Sequence, residues 1–266
     1  MQSSPTILIT GASSGIGAAT ARLFAQKGYR VALAARRLER LQSLAGEITA
    51  AGKQAIFTAA DLSKLEDIQN MVQTTLDRFG RLDVLFNNAG FGRLDWLEAL
   101  SPYTDVQEQL QVNLLGVIWT AQAVLPHMIA ERHGHIINMS SMSGFVAPPT
   151  YSIYAASKFG VRGFTEALRR EVGIYGVRVS GIYPGGVKTE FAEHASIHRK
   201  TGATTPAWLT LSAEAVARSV WSLVQRPRRT VIIPRLMTLA VWANALLPGF
   251  VDWAITRLFV LPERSP

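Results

Sequence analysis

The amino-acid sequence predicts an α/β fold built on a doubly wound parallel sheet. Short apolar runs alternate with helix-length stretches, and most of the runs are apolar throughout, as strands buried on both faces are. Seven strands are predicted, at Thr6–Thr10, Arg30–Ala35, Gln54–Ala59, Leu82–Asn87, His135–Met139, Val177–Ile182 and Thr230–Pro234. This alternation describes a Rossmann-like domain with a parallel sheet of about seven strands and helices on both faces.

Six helices are predicted between these strands. They lie near Ile16–Lys27, Leu38–Ala51, Ser63–Phe79, Val106–Ala130, Tyr154–Ile174 and Ser212–Gln225. Ser63 and Glu66 have the spacing of a capping box, which predicts a helix start there. No internal repeat or Gly/Ser/Pro-rich linker divides the 266 residues, of which 48% are hydrophobic. We therefore predict one domain over residues 1–234, with an apolar helical extension of the same domain over 235–266.

Cysteine is absent, which excludes disulfides, thiolate metal sites and cysteine nucleophiles. The first predicted strand begins at Thr6, which leaves no room for a secretory signal before it. We expect a cytoplasmic protein and no metal site.

The formal net charge of +8 invites a nucleic-acid or anionic-membrane interpretation. The basic residues are scattered along the chain, however, and no helix-turn-helix, zinc-knuckle or aromatic RNA-binding pattern accompanies them. We favour a solvated basic surface and expect no nucleic-acid partner.

A glycine-rich turn joins the first predicted strand to the first helix. Its residues include Gly11, Ser13, Ser14, Gly15, Ile16 and Gly17. Glycines here permit positive φ and a close approach of the backbone to a bound group. The helix that follows presents unpaired N–H groups and its positive dipole end to a pyrophosphate. The same residues fit the Gly-x-Ser-x-Gly of a serine hydrolase with Ser13 as nucleophile, but no histidine stands in a triad context.

The end of the second strand indicates which nicotinamide cofactor is bound. An acidic residue there accepts hydrogen bonds from the adenosine ribose of NAD. Arg36 and Arg37 stand there instead, and a guanidinium pairs with the 2′-phosphate of NADP. The alternative is that both arginines begin a solvated helix. We favour NADP.

Tyr154 and Lys158 form the strongest catalytic signal. Positions i and i+4 share one face of a helix, so the ammonium lies near the phenol and favours its ionised form. Such a phenol exchanges a proton with a carbonyl or alcohol oxygen. Ser141, thirteen residues upstream at the end of a predicted strand, is placed to orient that oxygen.

With these motifs in order, the sequence resembles a single-domain short-chain dehydrogenase/reductase from Thr6 to about Pro234. The matching segments are Thr10–Gly17, Asp61-Leu62, Asn87–Gly90, Val112–Leu114, Ser141, Tyr154 with Lys158, and Pro184–Thr189. The resemblance implies that Tyr154 is the general acid/base and that Lys158 holds the nicotinamide ribose and lowers the pKa of the phenol. It also implies that Ser141 steadies the substrate oxygen and that Asn113 helps hold a water for proton relay.

The resemblance also implies a set of cofactor contacts. Asp61 and Leu62 would meet the adenine, and Ser13 and Ser14 would assist the arginines around the 2′-phosphate. The remaining cofactor-binding residues implied are Asn88, Ala89 and Gly90 in the floor and Pro184, Gly185, Val187 and Thr189 near the nicotinamide or pyrophosphate. Asn88 and Asn113 have an alternative role in tying strand and helix ends together.

A hydrophobic carbonyl or secondary-alcohol substrate is expected, since apolar side chains fall in the loops near the predicted site. These are Phe91, Trp96, Phe145, Tyr151, Phe191 and Trp208, the last two within a substrate lid predicted over 190–211. A non-catalytic NADP(H)-sensing protein is the alternative function, although such a protein would be expected to lose Tyr154 or Lys158. A homodimer or homotetramer is the expected assembly.

The C-terminal extension is unusually apolar. Two short helices broken at Pro248-Gly249 are predicted, and Val251, Ala254, Ile255, Leu258 and Phe259 form one apolar helical face. With two tryptophans and an excess of arginine, this pattern is typical of a peripheral membrane contact through residues 235–261. Packing over the substrate pocket or against a partner subunit is the alternative.

Overall fold

The computed structural model describes residues 4–191, Ala195 and 206–264, and it places seven parallel strands in one sheet. The strands are β1 (Thr6–Thr10), β2 (Arg30–Ala35), β3 (Ala55–Ala59), β4 (Val84–Asn87), β5 (Gly134–Met139), β6 (Val177–Pro184) and, last in the chain, β9 (Thr230–Ile233). Their order is β3-β2-β1-β4-β5-β6-β9. The short β7 (Val187–Lys188) and β8 (Leu211–Ser212) pair separately. The predicted doubly wound sheet is confirmed.

Helices cover both faces of the sheet. They are α1 (Gly15–Gln26), α2 (Leu38–Ala50), α3 (Leu65–Phe79), α4 (Pro102–Ala130), α5 (Ser152–Val172) and α6 (Ala213–Gln225). The core on one face is formed with α1, α2 and α6, and the core on the other with α3, α4 and α5. In β1, Ile7 and Ile9 point to the first core and Leu8 to the second, which explains why this strand is apolar throughout.

The start of α3 differs from the prediction. Ser63 does not cap the helix, which begins at Leu65 after Lys64. The Ser63 hydroxyl donates instead to the carboxylate of Asp61 at 2.8 Å, and the Asp67 carboxylate accepts from the Asp61 backbone N–H. The capping-box prediction is wrong because the helix begins two residues later, at Leu65, so that Lys64 and not Ser63 stands at the cap position.

Helix α4 contains two wider π-type turns, at Pro102–Gln107 and Gln111–Leu115. The second includes Asn113, and such turns are frequent at functional sites. Within the described residues, α4 is the one unbent helix with the length and composition to cross a membrane. It packs against α3 and supplies Ala121, Val124 and Met128 to the core, which accounts for its apolar character.

Two further helices, α7 (Thr238–Leu246) and α8 (Pro248–Arg264), follow β9. They are bent by 108° relative to each other at Leu247, so the predicted pair of short helices is confirmed. No residue of either helix is buried. The face predicted for α8 includes the half-buried Ile255 and Phe259, but the exposed side carries Phe250 and Trp253. The helix is therefore apolar on both sides, which the one-face prediction missed.

Candidate functional site

A cleft of about 1350 Å³ lies at the carboxyl ends of the strands. It opens where the chain reverses its order in the sheet, between β1 and β4, which is where doubly wound folds bind nucleotides. Of the predicted site residues, all but Gly17 and Asn113 line it: Gly11, Ser13, Ser14, Gly15, Ile16, Arg36, Arg37, Asp61, Leu62, Asn88, Ala89, Gly90, Ser141, Tyr154, Lys158, Pro184, Gly185, Val187 and Thr189. Residues from seven separate segments are thus brought together.

The glycine-rich turn has the backbone that the sequence predicts. Gly11 and Gly15 adopt φ of +65° and +51°, which other residues rarely reach. A Cβ on Gly17 would lie 2.3 Å from the Gly11 carbonyl oxygen, so this glycine lets α1 pack tightly against the turn. Gly17 therefore shapes the cleft without lining it.

The N-terminus of α1 is open towards the cleft. Ser14 stands at the cap position but makes no side-chain cap bond, and the first turn holds no acidic residue. The first N–H groups and the positive helix dipole are therefore available to an anion. These features fit the pyrophosphate of a dinucleotide.

Asn88 and Asn113 hold the floor of the cleft in place. The Asn88 amide donates to the backbone oxygens of Thr10 and Gly11 at 3.0 and 3.3 Å. The fully buried Asn113 amide accepts from the N–H of Phe91 at 2.9 Å and donates to its carbonyl at 2.7 Å. Both side chains thus tie strand and loop ends together, as the structural alternative for them predicts.

Arginines stand at the end of β2, as predicted. Arg37 is half-buried and donates to the hydroxyls of Ser13, at 3.1 Å, and Ser14, at 2.6 Å. Arg36 is exposed, and its charge helps to hold the pKa of Asp61 below its usual value, together with hydrogen bonds from Ser63. Two guanidinium groups therefore flank the edge of the cleft.

The opposite end of the cleft contains Tyr154, Lys158 and Ser141. Tyr154 and Lys158 are one turn apart on α5, and the Lys158 Nζ lies 5.6 Å from the centre of the tyrosine ring. The ammonium also donates to the carbonyl of Met139 at 3.2 Å. Ser141, just after β5, hydrogen-bonds to the Tyr154 phenol.

The ionisation of these groups differs from the sequence expectation. Burial raises the pKa of Tyr154 well above its ordinary value, and the hydrogen bond from Ser141 offsets this only in part. Burial also lowers the pKa of Lys158 to about 8. The raised pKa of Tyr154 is opposite in direction to the lowering expected from Lys158 together with oxidised nicotinamide, and that lowering stays a prediction for the site with the dinucleotide bound.

Apolar side chains surround Tyr154. Its ring contacts those of Tyr151 and Phe191, with centroids 6.1 and 5.4 Å away, and Leu94 packs beside them. Of the six aromatic residues predicted near the site, Phe91, Tyr151 and Phe191 line the cleft. The other three do not line the cleft. The ring of Phe145 packs against that of Tyr183, and the guanidinium of Arg264 lies over the ring of Trp96. The side chain of Trp208 is 74% exposed. Most of the predicted lid, 192–194 and 196–205, lies outside the described residues.

Glu190 and Met237 are among the cleft residues that the sequence reasoning did not assign to the site. Glu190 binds both Arg37 and Arg40, and only the spacing after Thr189 in the family-like motif hinted at its place. Met237, from the segment before α7, lies in the cleft against Gly185. No local pattern marks it, because its position depends on how the chain turns back after β9.

Known proteins share this architecture. The family model for short chain dehydrogenases matches residues 5–200. An uncharacterised oxidoreductase from Listeria innocua is 42% identical over 189 residues, which cover 70% of this chain and 76% of that protein.

Solved structures give the same result. A short-chain dehydrogenase/reductase from Burkholderia phymatum in complex with NAD has a TM-score of 0.83 at 26% identity, covering 94% of this chain and 95% of the other. A short-chain dehydrogenase from Sphingobium yanoikuyae in complex with NADPH has a TM-score of 0.79 at 28% identity, covering 93% and 96%. This protein belongs to the short-chain dehydrogenase family and is an oxidoreductase that binds a nicotinamide dinucleotide.

Proposed function

We propose that this protein uses NADP(H) to interconvert a hydrophobic ketone or aldehyde and the corresponding alcohol, with Tyr154 as the proton-transferring residue. One observation carries the proposal: Tyr154, Ser141 and Lys158 meet at the apolar end of a cleft whose other end carries arginines. The apolar surroundings match a hydrophobic substrate, and the arginines match a phosphorylated ribose.

The roles follow from the positions of the groups. Because its pKa is raised, the Tyr154 phenol is protonated at neutral pH and donates its proton to the substrate oxygen in reduction. The Ser141 hydroxyl hydrogen-bonds to the same oxygen and orients it. NADPH, when bound, supplies the hydride. In the oxidative direction the phenol must first lose its proton. A positive charge near the phenol stabilises the phenolate and therefore favours oxidation.

Lys158 is proposed to hold the nicotinamide ribose. Its ammonium faces Gly90 in the cleft floor, where a Cβ would come within 3.4 Å of the Nζ. With a pKa of about 8 it is mostly charged at neutral pH and is able to donate to ribose hydroxyls. The proposed relay water beside Asn113 stays a prediction, since the side-chain amide of Asn113 is already bonded to Phe91.

NADP is proposed over NAD because no carboxylate stands at the end of β2. Arg36 and Arg37 occupy that position, and the hydroxyls of Ser13 and Ser14, which accept from Arg37, line the same part of the cleft. Asp61 and Leu62 line the adjoining part of the cleft, where the adenine is proposed to lie.

The defining experiment measures nicotinamide oxidation against a panel of hydrophobic aldehydes and ketones, with NADPH and with NADH. We expect turnover with NADPH and several apolar carbonyls, and little with small polar ones. Tight NADPH binding without turnover on any member would favour an NADP(H)-sensing protein instead.

We further propose that the C-terminal helices contact a membrane surface. Nine large apolar side chains in this segment are about half exposed or more: Leu236, Leu239, Trp242, Leu246, Leu247, Phe250, Trp253, Leu258 and Leu261. A helix that is apolar on both sides is normally buried in a protein or a bilayer, and these helices contain no buried residue. Exposed arginines at 226, 228, 229, 235 and 257 favour anionic headgroups and disfavour pairing with an identical, equally basic copy. The proposed location is cytoplasmic with peripheral membrane contact.

A homodimer or homotetramer is the proposed assembly. The exposed Leu115 on α4 and Phe159 on α5 support it, since they lie on neighbouring helices away from the C-terminal segment. Light scattering of the full chain measures the number of copies.

A further inference from the structure

An ion pair closes across the edge of the cleft beside the glycine-rich turn. Glu190, just after β7, binds two arginines about 150 residues earlier in the chain. Its Oε2 lies 2.8 Å from Arg37 Nη1, and its Oε1 lies 2.5 Å from Arg40 Nη1. The two guanidinium groups lower the pKa of Glu190 to about 2, so its carboxylate is ionised at any physiological pH.

Four of the five N–H donors of Arg37 are engaged by protein acceptors. Its Nε and Nη2 donate to the hydroxyls of Ser13 and Ser14, and its Nη1 donates to Glu190. A guanidinium offers five N–H donors in a fixed plane, and four of those of Arg37 have acceptors, so a phosphate that takes two of them must displace an existing acceptor. Among the residues that the structure describes, Glu190 is the only anionic acceptor on Arg37.

We infer that Glu190 is a specificity-determining residue: its carboxylate holds the position on Arg37 and Arg40 that the 2′-phosphate of NADPH takes on binding. This rests on the proposed use of NADP(H). NADPH has to displace the carboxylate, whereas NADH, which has no 2′-phosphate, binds with the ion pairs intact. The carboxylate therefore weakens NADPH binding and leaves NADH binding unchanged. It reduces the ratio by which the affinity for NADPH exceeds that for NADH.

Electrostatic repulsion disfavours binding of the 2′-phosphate while the Glu190 carboxylate remains on the same arginines. A carboxylate left beside a bound phosphate dianion would face like charge at short range, at an edge of the cleft that is only partly exposed. The two anions therefore compete for the same arginines.

The test is the substitution Glu190→Gln, which keeps the shape of the side chain and removes its charge. Dissociation constants are measured for NADPH and NADH, and for the fragments adenosine 2′,5′-bisphosphate and adenosine 5′-monophosphate. We expect binding of the two 2′-phosphorylated ligands to tighten about three- to tenfold, the combined value of two partly exposed ion pairs, with less than about a twofold change for the others.

Glu39→Gln is the matched control, because Glu39 is an exposed carboxylate in the first turn of α2 and the charge change is the same. Only a small shift is expected there. Equal changes in the dissociation constants of the two variants, or equal effects on NADPH and NADH in Glu190→Gln, would overturn the proposed role of Glu190. The proposed use of NADP(H) would still stand. Tighter binding of NADH than NADPH by the unmodified protein would overturn the cofactor assignment, and with it the inference.

Discussion

Lys158 lies one helical turn beyond Tyr154 on α5, with its Nζ 5.6 Å from the centre of the tyrosine ring and 3.2 Å from the carbonyl of Met139. Both side chains are buried, at 2% and 8% exposure. The helix sets their spacing, whereas burial sets their protonation. The raised pKa of Tyr154 keeps the phenol protonated at neutral pH, and the pKa of about 8 leaves the ammonium of Lys158 mostly charged there.

Tyr154→Phe removes the proton donor and little else. We expect kcat to fall about 10²–10⁴-fold, the usual contribution of general acid–base catalysis, with the Kd for NADPH nearly unchanged. Steady-state kinetics and fluorescence titration with NADPH measure the two quantities. Tyr183→Phe is the control, because Tyr183 is buried but does not line the cleft. Turnover near normal in Tyr154→Phe would remove this residue from the mechanism.

The buried ammonium of Lys158 makes stability depend on pH. Its pKa falls from 10.5 in the unfolded chain to about 8 in the folded protein, so between these values the unfolded chain binds more protons. The free energy of unfolding therefore rises from pH 8 towards pH 10.5 on account of this group and loses that contribution as pH falls through 8. By the usual conversion of pKa into free energy, the burial costs about 3 kcal/mol at pH 7.

Lys158→Met tests this dependence by urea unfolding at several pH values between 7 and 9.5. We expect the variant to be more stable than the unmodified protein at pH 7, with a difference that shrinks as pH rises. Other titrating groups cancel in the difference between the two proteins. A difference that stays constant over this range would show that Lys158 does not titrate there.

The sequence predicts the site better than it predicts the charges within it. Strand periodicity and the Tyr154–Lys158 spacing are local, so the sheet and the catalytic pair follow from them. The pKa of Tyr154 depends on desolvation by the whole fold, and Glu190 reaches Arg37 across 153 positions. The capping-box prediction at Ser63 failed for a local reason, because the helix begins at Leu65 and Lys64 occupies the cap position.

Arg36→Ala should weaken NADPH more than NADH. Its exposed guanidinium is proposed to face the 2′-phosphate, and loss of such a charge-assisted contact raises the Kd for NADPH about tenfold. The Kd for NADH is expected to be nearly unchanged. Arg78→Ala, an exposed arginine in the last turn of α3, controls for net charge. Equal losses for both cofactors would contradict the proposed contact.

The C-terminal segment is tested with anionic lipid vesicles. Trp242 and Trp253 are 59% and 61% exposed on α7 and α8, and replacing both with Ser leaves the cleft lining intact. We expect the unmodified protein to sediment with the vesicles at low salt and the double variant to bind at least about tenfold more weakly, because transfer of each large apolar side chain out of water contributes about 1.5–3 kcal/mol.

Trp208→Ser is the matched control, since Trp208 is 74% exposed outside this segment and its replacement should leave sedimentation unchanged. A comparison of anionic with neutral vesicles isolates the contribution of the arginines to binding. High salt is expected to weaken that contribution as well. If the unmodified protein stays in the supernatant, and the double variant instead changes the number of copies seen by light scattering, the apolar segment packs against a partner subunit and the membrane proposal fails.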